Sequence, residues 1–411
     1  MPMTRTAPLL LLTCMAAAGA APTTVSHPGS KATAPDLAIG ADGDIHLVWI
    51  ERSTTPGAPG GADLWFARST DGGLTFSAPV LVNREPGTAW GFPVARPRLA
   101  IGRRGTVHVF HAGQVTDAAS GTRFVAPTYA RSTDHGASFG TARVLGGTPA
   151  GLAADDPANG ESFGTLAADG QGRVFAYWIE TRGRPGGDGS LLAATSADDG
   201  ATFTPAQTAL AAAVCPCCQP TALAADGRTY VGTRLLGESG TRDSSVAVAG
   251  RDGRRFGNRA RWGGSAWSID ACPMKPTPLA VDGRHVYVAS FDGGAASPGA
   301  AVSRSVDGGR TFAPSVPLHP GADVSDAPAL AMLGRRLVAA WHAKAGGERR
   351  VFLAVSRDRG RSFSAPAELP APTGPASYPV IATRDGGVQL AWQQGDAIVT
   401  HYIDGADPLL R

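Results

Sequence analysis

Ser305-Val-Asp-Gly-Gly-Arg-Thr-Phe312 fits the pattern S-x-D-x-G-x-T-F, and the chain keeps returning to it. Ser69–Phe76 reads STDGGLTF, Ser132–Phe139 STDHGASF, Ser196–Phe203 SADDGATF and Ser356–Phe363 SRDRGRSF. A decayed copy, AGRDGRRF, occupies Ala249–Phe256, with Arg251 where the Asp belongs. Each position has a physical task. The carboxylates of Asp71, Asp134, Asp198, Asp307 and Asp358 can accept backbone N–H bonds in a tight turn, and the Gly can take positive φ. The Thr or Ser hydroxyl closes the turn, and the Phe drops into apolar packing. The segment is a β-hairpin tip, and recurrence at this period predicts a solenoid or a propeller.

A second repeat runs in register with the first. Leu-Ala pairs stand at Leu37, Leu99, Leu166, Leu223, Leu279 and Leu330, with Ile381-Ala382 as a variant. Each is followed by a Gly turn and a period-two strand: Ile45–Trp49, Val107–His111, Val174–Trp178, Thr229–Thr233, Val286–Phe291, Leu337–Trp341 and Val388–Trp392. These read as strands A and B of successive blades, with the hairpin tip joining C to D. The A–B signature predicts an all-β, seven-bladed propeller of four-stranded antiparallel blades. The last blade has A, B and a C strand (Ala397–Tyr402) but no strand D. Leu318 to Leu330, Leu369 to Ile381 and Val25 to Leu37 are each twelve residues, so Pro22–His27 is read as the missing strand that closes blade 7. Closure removes a free sheet edge.

The S-x-D-x-G-x-T-F repeat resembles the Asp box, or BNR repeat, of the sialidase-like β-propellers. The resemblance covers almost the whole mature chain and implies a ligand site at the channel mouth. In this layout the A–B and C–D turns share one face. The D-to-A connections and B-to-C loops share the other, at the mouth.

Composition agrees with many short strands: 54 Gly and 32 Pro in 411 residues. A formal charge of +3 argues against nucleic acid or anionic membrane as partner. Residues 1–20 read as a signal peptide, with Arg5, an apolar Ala7–Ala17 core and an Ala18-Gly19-Ala20 cleavage site. That leaves one propeller domain over 21–411, a periplasmic or secreted location, no transmembrane segment and an expected monomer. A rival reading lipidates Cys14 after Leu11-Leu12-Thr13, where Thr fits a lipobox poorly.

Two D-to-A connections are unusual: Val214-Cys-Pro-Cys-Cys-Gln-Pro220, and Trp267–Pro276 with Cys272 and Met274. They place Cys215, Cys217, Cys218 and Cys272 at the mouth. In an exported protein these are expected to form disulfides, including one between blades 4 and 5. The other reading is a soft-metal site with Met274, for which thiolate and thioether favour copper.

The resemblance implies a sialidase site: three arginines for a sugar carboxylate, a Tyr nucleophile with its Glu, and an Asp acid/base. Only pieces are found. The family's Arg-Ile-Pro element is absent, and its nearest counterpart is Pro93–Arg98. Candidates are Arg98, Arg234 at the end of strand B of blade 4, Tyr378 before strand A of blade 7, and Glu180 after strand B of blade 3. His111 and His342 end other B strands and are weighed as metal ligands. The leading expectation is a glycan-type ligand at the mouth with an incomplete catalytic set, so that exo-α-sialidase-like hydrolysis is open. The alternatives are a periplasmic copper or redox protein and a protein-interaction scaffold.

Overall fold

The computed structural model describes residues 21–55, 61–116, 121, 123–146, 163–181, 187–257, 259–384 and 386–411. The signal peptide read over 1–20, with Cys14, lies outside them. Period-two segments rich in Val, Ile, Leu and Trp become strands wherever the sequence repeats them, and Gly-containing turns end them.

β1 (Thr23–Thr24) is followed by β2 (Thr33–Ile39), β3 (Ile45–Arg52), β4 (Ala62–Ser69) and β5 (Val80–Leu81). Next come β6 (Ala89–Trp90), β7 (Arg98–Ile101), β8 (Val107–Thr116), β9 (Arg123–Ser132) and β10 (Arg143–Val144). Then come β11 (Gly164–Ala168), β12 (Val174–Glu180), β13 (Gly189–Ser196) and β14 (Gln207–Val214). They are followed by β15 (Thr221–Ala225), β16 (Arg228–Arg234), β17 (Ser244–Ala249) and β18 (Ala260–Arg261). β19 (Leu279–Asp282), β20 (His285–Asp292), β21 (Gly299–Ser305) and β22 (Val316–Pro317) lead to β23 (Asp326–Leu333), β24 (Arg336–Ala345), β25 (Glu348–Ser356) and β26 (Ala367–Glu368). The last are β27 (Ala376–Arg384), β28 (Gly387–Gln394) and β29 (Ala397–Ile403).

β11–β14, β15–β18, β19–β22 and β23–β26 are four-stranded antiparallel sheets, each in chain order. A further sheet has the order β1-β29-β28-β27. β2–β5 and β7–β10 form two such units that β6 stitches into one nine-stranded sheet, through Ala62↔Ala89 and Ala89↔Gly113. The first strands of neighbouring units lie side by side: β2 by β7, then β11, β15, β19, β23 and β27, with β27 against β2 again.

The second strands carry the packing between units. Trp49, Trp178, Trp341 and Trp392 occupy equivalent places in β3, β12, β24 and β28 and are fully buried. Truncating a buried side chain of this size typically costs about 3–5 kcal/mol. In β16 and β20 the same place holds Thr233 and Ser290. There the guanidinium of Arg234 lies against Ser290 and donates to its hydroxyl.

The five boxes share one geometry. In the Ser305–Phe312 copy, Ser305 Oγ donates to Asp307 Oδ1 at 2.7 Å and accepts from Gly309 N at 2.9 Å. Thr311 returns two bonds to the same carboxylate, N to Oδ1 at 3.0 Å and Oγ1 to Oδ2 at 2.6 Å. Asp198 sits in the same set of bonds with Ser196 and Thr202. The Thr hydroxyl and backbone donors hold Asp71 and Asp198 at about 2, below the ordinary carboxylate range. Burial pulls Asp134 and Asp358 upward, yet their Ser donors outweigh it and bring them to about 2 as well.

A carboxyl with a depressed folded-state pKa binds fewer protons folded than unfolded. Its contribution is present above about pH 4 and disappears as pH falls through about 2. The urea midpoint is therefore expected to stay level from pH 7 to about 5 and to fall between pH 4 and 2. Asp358→Asn should lower the neutral-pH midpoint and flatten that acid limb. An unchanged limb would assign the acid sensitivity to other carboxylates.

The first turns of one unit touch the box of the next, so both belong to one face. Asp199, within the third box, lies 3.3 Å from His108 Nε2 and accepts from Arg103 N at 3.0 Å. Arg359 Nη1 meets His285 Nε2 at 3.1 Å, and Arg384 Nη2 donates to Gly72 O at 2.8 Å.

The N-terminal strand is extended as the spacing predicts. Thr23 pairs with Thr400 and Thr24 with Val399, and Val25 N donates to Ile398 O at 2.9 Å. Glu51 pins the segment. Its carboxylate accepts from His27 N at 3.0 Å and from Trp49 Nε1 at 2.7 Å, and it contacts His27 Nδ1 at 2.9 Å.

Candidate functional site at the end opposite the boxes

The first strands carry the Leu-Ala pairs and lie side by side. A cavity of about 400 Å3 runs among them, lined from β2, β7, β11, β15, β19, β23 and β27 together with Arg96, Gln219, Pro276 and Pro278. Clefts of comparable size on the box face, such as that holding Asp169, Asp226, Arg228 and Arg251, draw on neighbouring units only.

Charge gathers where the connections enter the first strands. Arg96 is buried at 8% exposure, lines the cavity and makes no side-chain hydrogen bond or ion pair among the described residues. Its backbone is clamped: Gln219 Nε2 donates to Arg96 O at 2.7 Å and to Gly164 O at 2.9 Å, and Gln219 Oε1 accepts from Arg96 N at 3.3 Å. Burial first, and the like charge of Arg98 second, lower the Arg96 guanidinium to about 10. Arg98 Nε lies 3.5 Å from Asp36 Oδ2, which also accepts from Leu99 N at 2.8 Å. Lys275 pairs with Asp326 and lies 4.8 Å from the Phe291 ring centre.

Tyr378 has φ 55°, a left-handed conformation unusual for an aromatic residue. Its N–H donates to His342 Nδ1 at 3.1 Å, and the two rings meet edge to face. Burial raises the Tyr378 phenol and lowers His342 to about 4. A raised phenol is the wrong direction for a phenolate nucleophile.

The sequence candidates therefore separate. Arg98 lines the cavity, and Tyr378 stands near Arg96. Arg234 points into the protein: Nε donates to Lys275 O at 3.2 Å, Nη2 to Phe291 O at 3.2 Å, and Nη1 to Arg242 O. Glu180 ends β12, paired in register with Ser190, and does not line the axial cavity. His111 is buried against Ala112 O at 3.0 Å, and neither it nor His342 joins a metal-ligating group among the described residues. Arg96 and Gln219 are the residues that the sequence candidates omit. Both lie in D-to-A connections, just ahead of Leu-Ala pairs.

The cysteines require a correction. All four are free, so the expected bridge between neighbouring units is not formed. Cys215 Sγ lies 3.6 Å from Cys217 Sγ and 3.4 Å from Cys218 Sγ, beyond covalent distance. These three are buried, whereas Cys272 is exposed and stands outside the cluster. The sharp φ of 52° at Met274 separates Cys272 from the inward-turned Lys275, whose N–H meets Cys218 Sγ at 3.4 Å. Met274 itself packs on the apolar cluster that contains the three buried thiols. Hydrogen bonds from Cys217 and Cys218 hold the Cys215 thiol low, while burial pushes the Cys218 thiol up. The other trio of potential ligands, Asp42, Asp44 and His46, is occupied by Arg68, which pairs with Asp44.

No protein-family model matches the sequence, and no curated protein is similar to it in sequence. Solved structures do share its fold. A polysaccharide lyase, Uly1, superposes with a TM-score of 0.54 at 11% identity, over 90% of this chain and 90% of its own. The Hadza microbial sialidase Hz136 gives 0.52 at 15%, over 84% of this chain and 73% of its own. Trypanosoma rangeli sialidase, in complex with 2,3-difluorosialic acid, gives 0.50 at 12%, over 90% of this chain and 53% of its own. The class defined is a sialidase-like, β-propeller-type fold. At this identity the likeness speaks of fold alone. Among the described residues no helix is long and apolar enough to cross a membrane.

Proposed function

We propose that the chain is an exported, closed seven-bladed propeller that binds an acidic, glycan-type ligand at the mouth of its axial cavity. The cyclic neighbourhood of the first strands, and β1 completing the sheet of β27–β29, support the closed ring. One observation carries the ligand class: the Arg96 guanidinium is buried, faces the cavity and has no side-chain partner among the described residues, with Arg98 beside it. A carboxylate suits that buried guanidinium, which can donate two parallel bonds to it. The solved structures of similar fold come from proteins named as sialidases and a polysaccharide lyase, which favours a sugar acid over other carboxylates.

Binding rather than hydrolysis is the reading favoured for the site. Arg234 is engaged in structural bonds, and burial raises the Tyr378 phenol.

Calorimetry with N-acetylneuraminic and glucuronic acids, against N-acetylglucosamine, tests it. The acids should bind and the neutral sugar should not. Arg96→Ala should weaken the acids about 10–100-fold, the loss of a charge-assisted bond of about 1.5–3 kcal/mol. Aryl sialosides should show no turnover. Equal binding of acid and neutral sugars, or full affinity in Arg96→Ala, would sink the proposal.

A further inference from the structure

We propose that Cys215, Cys217 and Cys218 form a three-thiolate site for a soft monovalent metal ion, Cu(I), with Arg234 as its charge partner. The site is independent of the glycan reading and uses groups that reading leaves idle.

The geometry points to a ligand set. The three sulfurs all lie within 4.8 Å of one another, with 3.4 and 3.6 Å for the two pairs that include Cys215. A metal about 2.3 Å from three sulfurs would hold them about 3.8–4.0 Å apart. Side-chain shifts of a few tenths of an ångström thus suffice, whereas a disulfide would require one pair to close to about 2.05 Å. The loop is anchored for the purpose: Cys215 N donates to Arg234 O at 2.8 Å, and Gln219 is fixed between Arg96 and Gly164. A backbone N–H, that of Lys275, already points at Cys218 Sγ.

Chemistry selects the ion. Among the described residues no His or carboxylate joins the three sulfurs. A set of three soft thiolates suits Cu(I), which three sulfurs satisfy, whereas structural zinc takes four ligands. Binding replaces S–H by S–Cu, and each released proton goes to solvent without electron transfer. The thiolates would leave excess negative charge in a buried place. Arg234, itself buried and close enough to Cys218 and Cys215 to feel their charge, offsets it.

The test is an anaerobic Cu(I) titration of the reduced, full mature chain against a competing chelator, read by thiolate-to-copper ultraviolet absorption. One ion per chain is expected. Cys217→Ser should weaken binding at least about 100-fold, since losing even an outer-sphere partner costs 10–100-fold in such sites. Cys272→Ser should leave it unchanged, and X-ray absorption should show three sulfur neighbours. Thermal melts check that each variant folds, and the wild-type titration stands whether or not they do. Failure of the reduced wild type to take up one ion would overturn the proposal. So would equal losses from Cys272→Ser and Cys217→Ser, or preferential binding of Zn(II).

Discussion

A chain lacking residues 21–27 is expected to melt about 5–10 °C below the intact protein and to associate. The segment supplies β1, the backbone bond from Val25 to Ile398 and the bond from Ile398 N to Ser26 Oγ at 3.0 Å. It also covers Glu51, whose carboxylate would lose His27 and keep Trp49. Without it, β29 presents a bare edge, and a second copy can pair with that edge. Differential scanning calorimetry and light scattering read both consequences. A truncated chain with the same melting temperature and no dimer would show that the strand is ornamental. Glu51→Gln should fall between the two proteins, because it keeps the strand and weakens its anchor.

The second large effect is expected at Arg234. Arg234→Ala should cost about 3–5 kcal/mol, by leaving the carbonyls of Lys275, Arg242 and Phe291 without their shared donor in a buried place. The guanidinium also fills the space beside Ser290, where four other second strands place a Trp. Arg234→Lys should recover little, since one ammonium cannot reproduce a planar fork. Urea unfolding measures the cost. If Arg234→Ala kept full stability and lost sugar binding instead, the guanidinium would belong to the ligand site, as the sequence reading had it.

The repeats made the strands legible. A box motif dictates its own turn through bonds within eight residues, so Asp307 or Asp358 can be read locally. Leu-Ala pairs and period-two strands follow from the crowding near an axis. Even the N-terminal strand was visible, through the recurring twelve-residue spacing from Val25 to Leu37. The site was legible only as a region. Nothing local in Arg96 or Gln219 distinguishes a cavity-facing Arg from a surface one, because their contact spans three units. Arg234 shows the same limit: its bonds to Lys275, Ser290 and Phe291 reach far along the chain, where no local signal could reveal them. The cysteines were grouped because both connections meet at one mouth, but Cys272 is exposed while the other three are buried together.

The pairing of β1 with β29 also sets an order of events in biosynthesis. β1 precedes its partner β29 by most of the described sequence, so that sheet cannot be completed until β29 has been made. Until then β1 has no mate, and the growing array exposes a succession of open edges. Earlier four-strand sheets can form as they emerge, since each is built from consecutive strands. Completing that sheet brings together strands far apart in sequence and makes the synthesis of β29 a condition for it. A product ending before Ala397 lacks β29, so β1 has no partner and β28 keeps β27 on one edge only.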